Sequence, residues 1–121
     1  MMTFCEAIAR QEGWLVADSR CRRNHNPGNI RYGEFAQSHG AVGTDGVFAI
    51  FPDDVAGFRA MSVLLNAAYR GLTVAQAIAK WAPPTENNTA QYVDDIVEWT
   101  GMKPDTELTV DLLAPPTPEV A

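Results

Sequence analysis

Helix-capping signals recur along this chain of 121 residues, and each of them opens a segment in which apolar residues keep helical spacing. Thr3 precedes Glu6 by three residues, and Thr73 precedes Gln76 in the same way, which is the spacing of a capping box. Glycine or proline closes each segment and ends the helix there. Four helices are therefore predicted: Thr3 to Glu12, Pro52 to Tyr69, Thr73 to Trp81, and a last one that starts from a cap at Asn87, Asn88 or Thr89 and ends at Gly101.

The polar, glycine-rich stretch between the first two helices carries the β-strand signals. Ile30–Tyr32 and Val47–Phe51 have the composition of short strands, and Asp45-Gly46, just before the second of them, is a turn signal. We expect the two strands to pair as a small β-hairpin. The predicted fold class is therefore mainly α with a small β-hairpin, an α+β arrangement.

Length and composition favour a single domain. The apolar share of 46% is ordinary for a globular protein, and a chain of this length buries about two-thirds of its unfolded surface without help from metals or disulfides. Pro104 to Leu113 is expected to add one short turn or helix. We predict a folded, monomeric unit over residues 1–113, followed at 114–121 by a Pro-rich disordered tail.

The charge balance narrows the classes of partner. The formal net charge of −6 argues against binding to duplex nucleic acid, which normally requires a basic face. No run approaches the roughly 18 unbroken apolar residues of a membrane span, so no membrane insertion is expected. One basic cluster is present, and it is either a solvated loop or a set of contacts to an anionic or carboxylate-bearing substrate. The cluster consists of Arg20, Arg22, Arg23 and Arg31.

The two cysteines, Cys5 and Cys21, give no strong signal for a chemical site. The first residues lack the basic and apolar regions of a secretory signal peptide, which favours reduced thiols, although a disulfide between them stays open. Together with His25 and His39, the cysteines lack the paired spacing of a zinc site. Neither cysteine stands in a recognisable nucleophile motif. We therefore expect no metal and no other cofactor.

Glu12 is the strongest candidate for chemistry. It continues the apolar stripe of Phe4 and Ile8 at four-residue intervals, so its side chain is expected to face the interior or a cleft. Burial raises the pKa of a carboxyl group, and the negative end of the helix dipole acts in the same direction. A carboxylic acid that is still protonated near neutral pH is what protonation of a glycosidic oxygen requires, and lysozyme uses a glutamate tuned in this way.

Four motifs, in order along the chain, carry a resemblance to one family. They are Gln11–Trp14, Asn24–Arg31, Thr44–Pro52 and Trp81–Thr89, the last being followed by Tyr92. Over about residues 5–103 the chain resembles the lysozyme-like domains of phage virion proteins and endolysins, which are similar to lytic transglycosylases and goose-type lysozymes. The resemblance implies a lysozyme-like fold. It also implies cleavage of the β-1,4 bond between N-acetylmuramic acid and N-acetylglucosamine in peptidoglycan.

The same resemblance assigns roles to single residues. Glu12 matches the catalytic glutamate of the family, and the turn that begins at Asn26 matches the segment facing the cleft beside it. Glycine in such a turn lets the backbone approach a sugar, and asparagine side chains hydrogen-bond hydroxyl and acetamido groups. A purely structural turn, and core packing of Tyr92, are the alternatives. The residues that the resemblance places in the substrate-binding cleft are Asn26, Gly28, Asn29, Asn87, Asn88 and Tyr92.

The product of cleavage depends on a second acid. Asp45 is the first candidate for a second carboxylate, with Glu34 and Glu86 behind it, but Asp45 also has the pattern of a turn-former before Gly46. The chain lacks the Gly-Leu-Met-Gln-type motif of the best-known lytic transglycosylases. A mechanism with one glutamate, which gives a 1,6-anhydro sugar, is favoured over attack by water, and both stay open.

Two other functions also stay open. One is a non-catalytic module that binds glycan in the same cleft, and the other is a structural module of a phage particle or secretion machine. An intact Glu12 within its motif favours the enzyme. Because no signal peptide is visible, we expect a protein made in the cytoplasm that acts on the cell wall after phage- or secretion-mediated delivery. Its expected partners are the glycan strands of peptidoglycan.

Overall fold

The computed structural model of the protein describes residues 1–117, which form six helices and one two-stranded sheet. None of these helices is long and apolar enough to cross a lipid bilayer. The elements are α1 (Phe4–Gln11), α2 (Arg20–Arg23), α3 (Glu34–Ser38), β1 (Gly43–Thr44), β2 (Ala49–Ile50), α4 (Asp54–Ala68), α5 (Val74–Trp81) and α6 (Thr89–Thr100). The fold is thus α+β, with helices dominating.

The first helix has the predicted start and a well-defined end. The Thr3 side chain accepts a hydrogen bond from the Glu6 N–H while the Glu6 carboxylate accepts one from the Thr3 N–H, which confirms the capping box. At the other end, Trp14 N–H bonds to Ala9 O at 2.9 Å and Gly13 N–H to Arg10 O at 3.1 Å. This Schellman arrangement needs the left-handed backbone of Gly13, whose φ is +106°. It fixes the direction in which the preceding residue leaves the helix.

The three longer helices that follow also begin where side chains satisfy free N–H groups. Asp53 accepts from the Ala56 N–H at the start of α4, and the predicted box of Thr73 and Gln76 opens α5. Of the three candidate caps for α6, Asn88 is the one whose side chain accepts a backbone hydrogen bond, from Gln91. The α1 helix packs against α4 and α6, and α5 packs against α6.

The predicted pairing of Ile30–Tyr32 with Val47–Phe51 is present only as a single bridge, and the two-stranded sheet has a different partner strand. The sheet pairs β1 with β2 in antiparallel fashion, with Gly43 opposite Ile50. The expected strand Ile30–Tyr32 supplies only a single bridge, Arg31 opposite Phe48. The strand cannot extend in either direction, because Asn29 before it has a left-handed φ of +47° and α3 begins two residues after Tyr32.

Two helices were not predicted from the sequence. α2 and α3 have four and five residues, and no side chain caps the N-terminus of either of them. Each is about one turn long, which is too short for apolar periodicity to reveal. They lie in the polar region that was interpreted as loop and hairpin.

The C-terminal segment belongs to the core up to Leu113. Leu108 and Leu113 are buried, and Leu108 exchanges backbone hydrogen bonds with Gly71 and Leu72. The carbonyl of Leu113 accepts from the Ser62 hydroxyl at 2.6 Å. Between Pro104 and Leu113 the chain forms turns, one of the two predicted outcomes. Of the predicted disordered tail, residues 114–117 follow without helix or strand, and residues 118–121 lie outside the described residues.

Candidate functional site

A groove of about 500 Å³ opens beside the end of α1. The end of α1, the segment after Pro27, the second strand region, α4, the end of α5 and the loop before α6 all contribute to it. It is therefore assembled from distant parts of the chain, around Glu12. The lining residues are Glu12, Gly28, Asn29, Ile30, Arg31, Phe48, Leu64, Trp81 and Glu86.

Glu12 is a partly buried acid held by a tyrosine. The hydroxyl of Tyr92, a residue only 5% exposed, donates to Glu12 Oε2 at 3.2 Å. Burial raises the pKa of Glu12, while the side chains of Tyr92 and Asn29 lower it, and the burial effect is the largest, so the net shift is upward. Burial and the neighbouring Glu12 charge also raise the pKa of Tyr92, so Tyr92 stays a hydrogen-bond donor. The pair can hold a proton on the carboxyl at a pH where an exposed glutamate has lost it.

Replacing Tyr92 with phenylalanine is expected to raise the pKa of Glu12 further. The substitution removes the strongest of the contacts that stabilise the ionised carboxylate, while the burial that opposes ionisation remains. The pKa is measured by NMR titration of the side-chain carboxyl carbon in a protein labelled at glutamate. Tyr32→Phe, at a tyrosine 40% exposed, is the matched control and should leave the Glu12 titration in place. An unchanged titration in Tyr92→Phe would show that the hydrogen bond does not act on Glu12.

Asn26 lies in the core rather than on the groove surface. It is fully buried, and its amide bonds to Ile30 O and Ala49 O while its carbonyl accepts from the Ile30 N–H, each at 2.9 Å. The side chain of Asn26 therefore bonds to the backbone of two chain segments, at Ile30 and at Ala49. The structure gives Asn26 the role of holding the turn, which positions Gly28 and Asn29, and not that of a sugar contact.

We expect Asn26→Ala to destabilise the protein by about 3 kcal/mol, because it removes three buried hydrogen bonds. The Ile30 N–H and the Ala49 carbonyl lose the Asn26 side chain, whereas the Ile30 carbonyl keeps its bond from the Ala49 N–H. Urea unfolding followed by circular dichroism measures the change. Asn87→Ala serves as control, since Asn87 is exposed and its side chain makes one hydrogen bond, to Pro83 O. A loss no greater than that of the control would mean that the Asn26 bonds are replaced by water.

Gly28 and Asn29 line the groove. Gly28 is packed so closely that a side chain there would lie 3.2 Å from Met61 Cγ and 3.5 Å from the Trp81 ring. Asn29 Oδ1 is buried and has no hydrogen-bond partner within the part of the chain that the structure describes. The Asn29 side chain also stabilises the ionised form of Glu12, so it lies next to the proposed acid.

The other predicted site residues lie elsewhere. Tyr92 contacts the site by its hydrogen bond to Glu12. Asn87 and Asn88 are exposed and do not line the groove. The Asn87 side chain bonds to its own loop, and that of Asn88 caps α6. Asp45 is also outside it. Arg20 holds the Asp45 carboxylate by two bonds, of 2.6 and 3.1 Å, and Asn24 donates to it as well.

These bonds give Asp45 a structural task. Arg20 first, then Asn24 and the N–H groups of Val47 and Phe48, hold the pKa of Asp45 well below its usual range. It closes the turn before β2, which matches the alternative interpretation of Asp45-Gly46. Of the three candidate second carboxylates, only Glu86 lines the groove.

Several groove residues were missed as site residues from the sequence. Phe48 falls within the predicted strand Val47–Phe51, and Arg31 is one of four arginines in the basic cluster. Trp81 had a usable signal, because it opens the motif Trp81–Thr89. Leu64 has no such signal, since an apolar residue on a helix predicts core.

Trp14 and Arg22 belong to a second cavity, of about 570 Å³, which Phe58, Arg59 and Pro115 also line. The Arg22 guanidinium lies 4.6 Å from the centre of the Trp14 ring. Trp14 also packs edge-on against Phe58, with ring centres 5.3 Å apart. Trp14 therefore packs against Phe58 and Arg22 and does not line the groove around Glu12.

No group of three or more histidine, cysteine, aspartate or glutamate side chains within residues 1–117 is arranged to hold a metal ion. Cys5 and Cys21 are both buried free thiols. Their sulfurs point to different carbonyls, that of Leu113 and that of Glu12, each at 3.6 Å. Burial raises the pKa of Cys5 to about 12, so this thiol is not a nucleophile at neutral pH.

Comparison with known proteins gives a similarity to a phage protein. The chain is 36% identical over 91 residues to Protein P5 of Pseudoalteromonas phage PM2. The matched region covers 69% of this chain and 57% of Protein P5, so the chain spans little more than half the length of that relative. No protein-family model matches the chain.

Proposed function

We propose that this chain is a peptidoglycan-cleaving glycosidase with a lysozyme-like fold, in which Glu12 is the general acid. The observation that carries the proposal is the Glu12 carboxyl, partly buried in a groove and bonded to Tyr92 at 3.2 Å, with its pKa raised. The resemblance of the four motifs supplies the substrate. The similarity to a phage protein supports a phage context for delivery to the cell wall.

The first step transfers the Glu12 proton to the glycosidic oxygen. The bond between that oxygen and the anomeric carbon of N-acetylmuramic acid breaks, and the leaving N-acetylglucosamine takes the proton as a new hydroxyl. Positive charge then develops on the sugar ring while Glu12 becomes a carboxylate. Tyr92 donates to that carboxylate and so stabilises it as its charge appears.

The second step decides the product. In a transglycosylase the 6-hydroxyl of the muramic acid attacks its own anomeric carbon and returns a proton to Glu12, giving a 1,6-anhydro sugar. In a hydrolase a water attacks, usually oriented by a second carboxylate. The Asp45 carboxylate is already hydrogen-bonded to Arg20 and Asn24. Glu86 is therefore the remaining candidate for the carboxylate that orients the water. We propose the anhydro route, in which Glu12 acts alone.

Digestion of purified peptidoglycan sacculi, followed by mass spectrometry of the released muropeptides, tests the proposal. Anhydro ends are expected, which are lighter by one water than hydrolysed ends. Hydrolysed ends from the wild type would replace the transglycosylase by a muramidase, and Glu86→Gln should then slow their release. Intact sacculi after prolonged incubation would contradict the enzyme and favour a glycan-binding or structural module.

A further inference from the structure

We propose that Arg31 is a specificity-determining residue that binds a carboxylate of the glycan, so that the groove prefers muramyl-containing strands to neutral ones. The inference rests on the proposed function, whose substrate alternates N-acetylglucosamine with muramic acid. Arg31 lines the groove together with Glu12 and Asn29. Its side chain is exposed, so a ligand in the groove can reach it.

The backbone of Arg31 is fixed although its side chain is open. Arg31 pairs with Phe48 in a single antiparallel bridge, and its guanidinium carbon lies 5.9 Å from the centre of the Phe48 ring. Ile30, the residue before Arg31, makes two backbone hydrogen bonds with the Asn26 side chain. The cation is thus mounted on a rigid segment next to the proposed acid, which reduces the conformational entropy that a ligand must remove.

The other members of the basic cluster are engaged elsewhere. Arg20 is paired with Asp45, and Arg23 donates to Asp18 O at 2.6 Å. Arg22 stacks on Trp14 in the second cavity. Within residues 1–117, Arg31 makes no salt bridge. Among the four arginines, Arg31 is the one that lines the groove, and it is not paired with a carboxylate there.

The charges around the groove indicate the side on which an anion binds. Glu86 also lines the groove and repels a carboxylate near it, whereas the proposed acid Glu12 is neutral in its active form. A carboxylate is therefore expected at the Arg31 side, where a guanidinium can form charge-assisted hydrogen bonds. Muramic acid offers two sources of this group: its lactyl ether carboxylate, free when the peptide is removed, or a carboxylate of the attached peptide.

Binding to Glu12→Gln, which keeps the glycan intact, tests the proposal by calorimetry. Three ligands of equal sugar number are compared: a peptide-free strand with muramic acid, the same strand bearing peptides, and a neutral N-acetylglucosamine oligomer. At least one muramyl ligand is expected to bind about tenfold more tightly than the neutral oligomer. Which muramyl ligand shows the preference identifies the lactyl or the peptide carboxylate as its source. Adding Arg31→Gln should remove the preference, Arg31→Lys should keep part of it, and Arg22→Gln should leave it intact.

A preference for muramyl ligands that survives Arg31→Gln would overturn the proposal, as would equal binding of all three ligands by the parent protein. In either case the cleavage of sacculi by the wild type is unaffected, so the proposed function stands. If the parent binds none of the ligands and the wild type leaves sacculi intact, the proposed function fails and this inference fails with it.

Discussion

Glu12→Gln is expected to reduce the rate of peptidoglycan cleavage by about 10²–10⁴-fold, the usual contribution of a general acid. Glutamine keeps the shape of the side chain and still accepts the hydrogen bond from Tyr92, but it has no proton to give. Turbidity of sacculi measures the rate. Glu98→Gln is the matched control, because Glu98 is exposed on α6 and its substitution changes the net charge equally. Equal rates for the two variants would remove Glu12 from the mechanism.

The same variant has a second signature, in stability. The pKa of Glu12 is raised in the folded protein above its ordinary value of 4.5, so ionisation is harder folded than unfolded. Below pH 4.5 both states hold the proton and there is no penalty, whereas stability falls as the pH rises through that value toward the folded pKa. Glutamine never ionises, so Glu12→Gln is expected to unfold at a higher temperature than the wild type at pH 7 and at a similar one at pH 4. The activity of the wild type falls as the pH rises through the same folded pKa.

Gly57→Val is expected to remove most of the stability, about 5 kcal/mol. Gly57 lies inside α4, where propensity alone predicts that a side chain helps. Here a Cβ atom would overlap the carbonyl oxygen of His25 and come within 2.8 Å of Pro27 Cδ. Neither is the end of a flexible side chain that can swing away, so the helix and the turn must separate.

Gly57→Ala tests the same contact with a smaller side chain. We expect it to lower the free energy of unfolding by about 3 kcal/mol, whereas helix propensity alone predicts an increase of about 1 kcal/mol. Thermal unfolding by circular dichroism measures both variants. Gly43→Val, in β1, is the control, because a Cβ atom at Gly43 meets nothing within 4 Å and valine suits a strand. An unfolding midpoint for Gly57→Ala at or above that of the wild type would show that the turn at His25 and Pro27 moves away at little cost in stability.

The fold could be predicted where local chemistry decides it. Thr3 and Thr73 satisfy N–H groups three residues away, so the sequence alone reveals those helix starts. The partner of β2 could not be predicted in this way, although β1 lies only a few residues before it, because strand composition does not show which neighbouring segment a strand pairs with. Ile30–Tyr32 has strand composition, yet the left-handed backbone at Asn29 and the start of α3 leave it one bridge. β1, which does pair, consists of Gly43 and Thr44 and carries no strand signal.

The sequence indicated the acid of the candidate site, Glu12, more clearly than the residues that line the groove around it. Glu12 stood out because helical spacing and a motif agree on it, and Gly28 and Asn29 follow from the same resemblance. Asn26 shares the motif, but burial turns its amide toward the backbone. Arg31 and Trp81 meet in the groove only through tertiary packing. A motif shows which residues occur together along a chain, and only folding decides which of them face a ligand.

The anchoring of Leu113 has a consequence for biosynthesis. Its carbonyl accepts from the thiol of Cys5 in α1, across 108 positions of the chain, and from the hydroxyl of Ser62 in α4. The ribosome therefore releases α1 long before it makes the segment that supplies this contact. Contacts of such long range form late and slow the folding of a domain. A nascent chain would thus hold Cys5 and Ser62 without this partner until translation has passed Leu113.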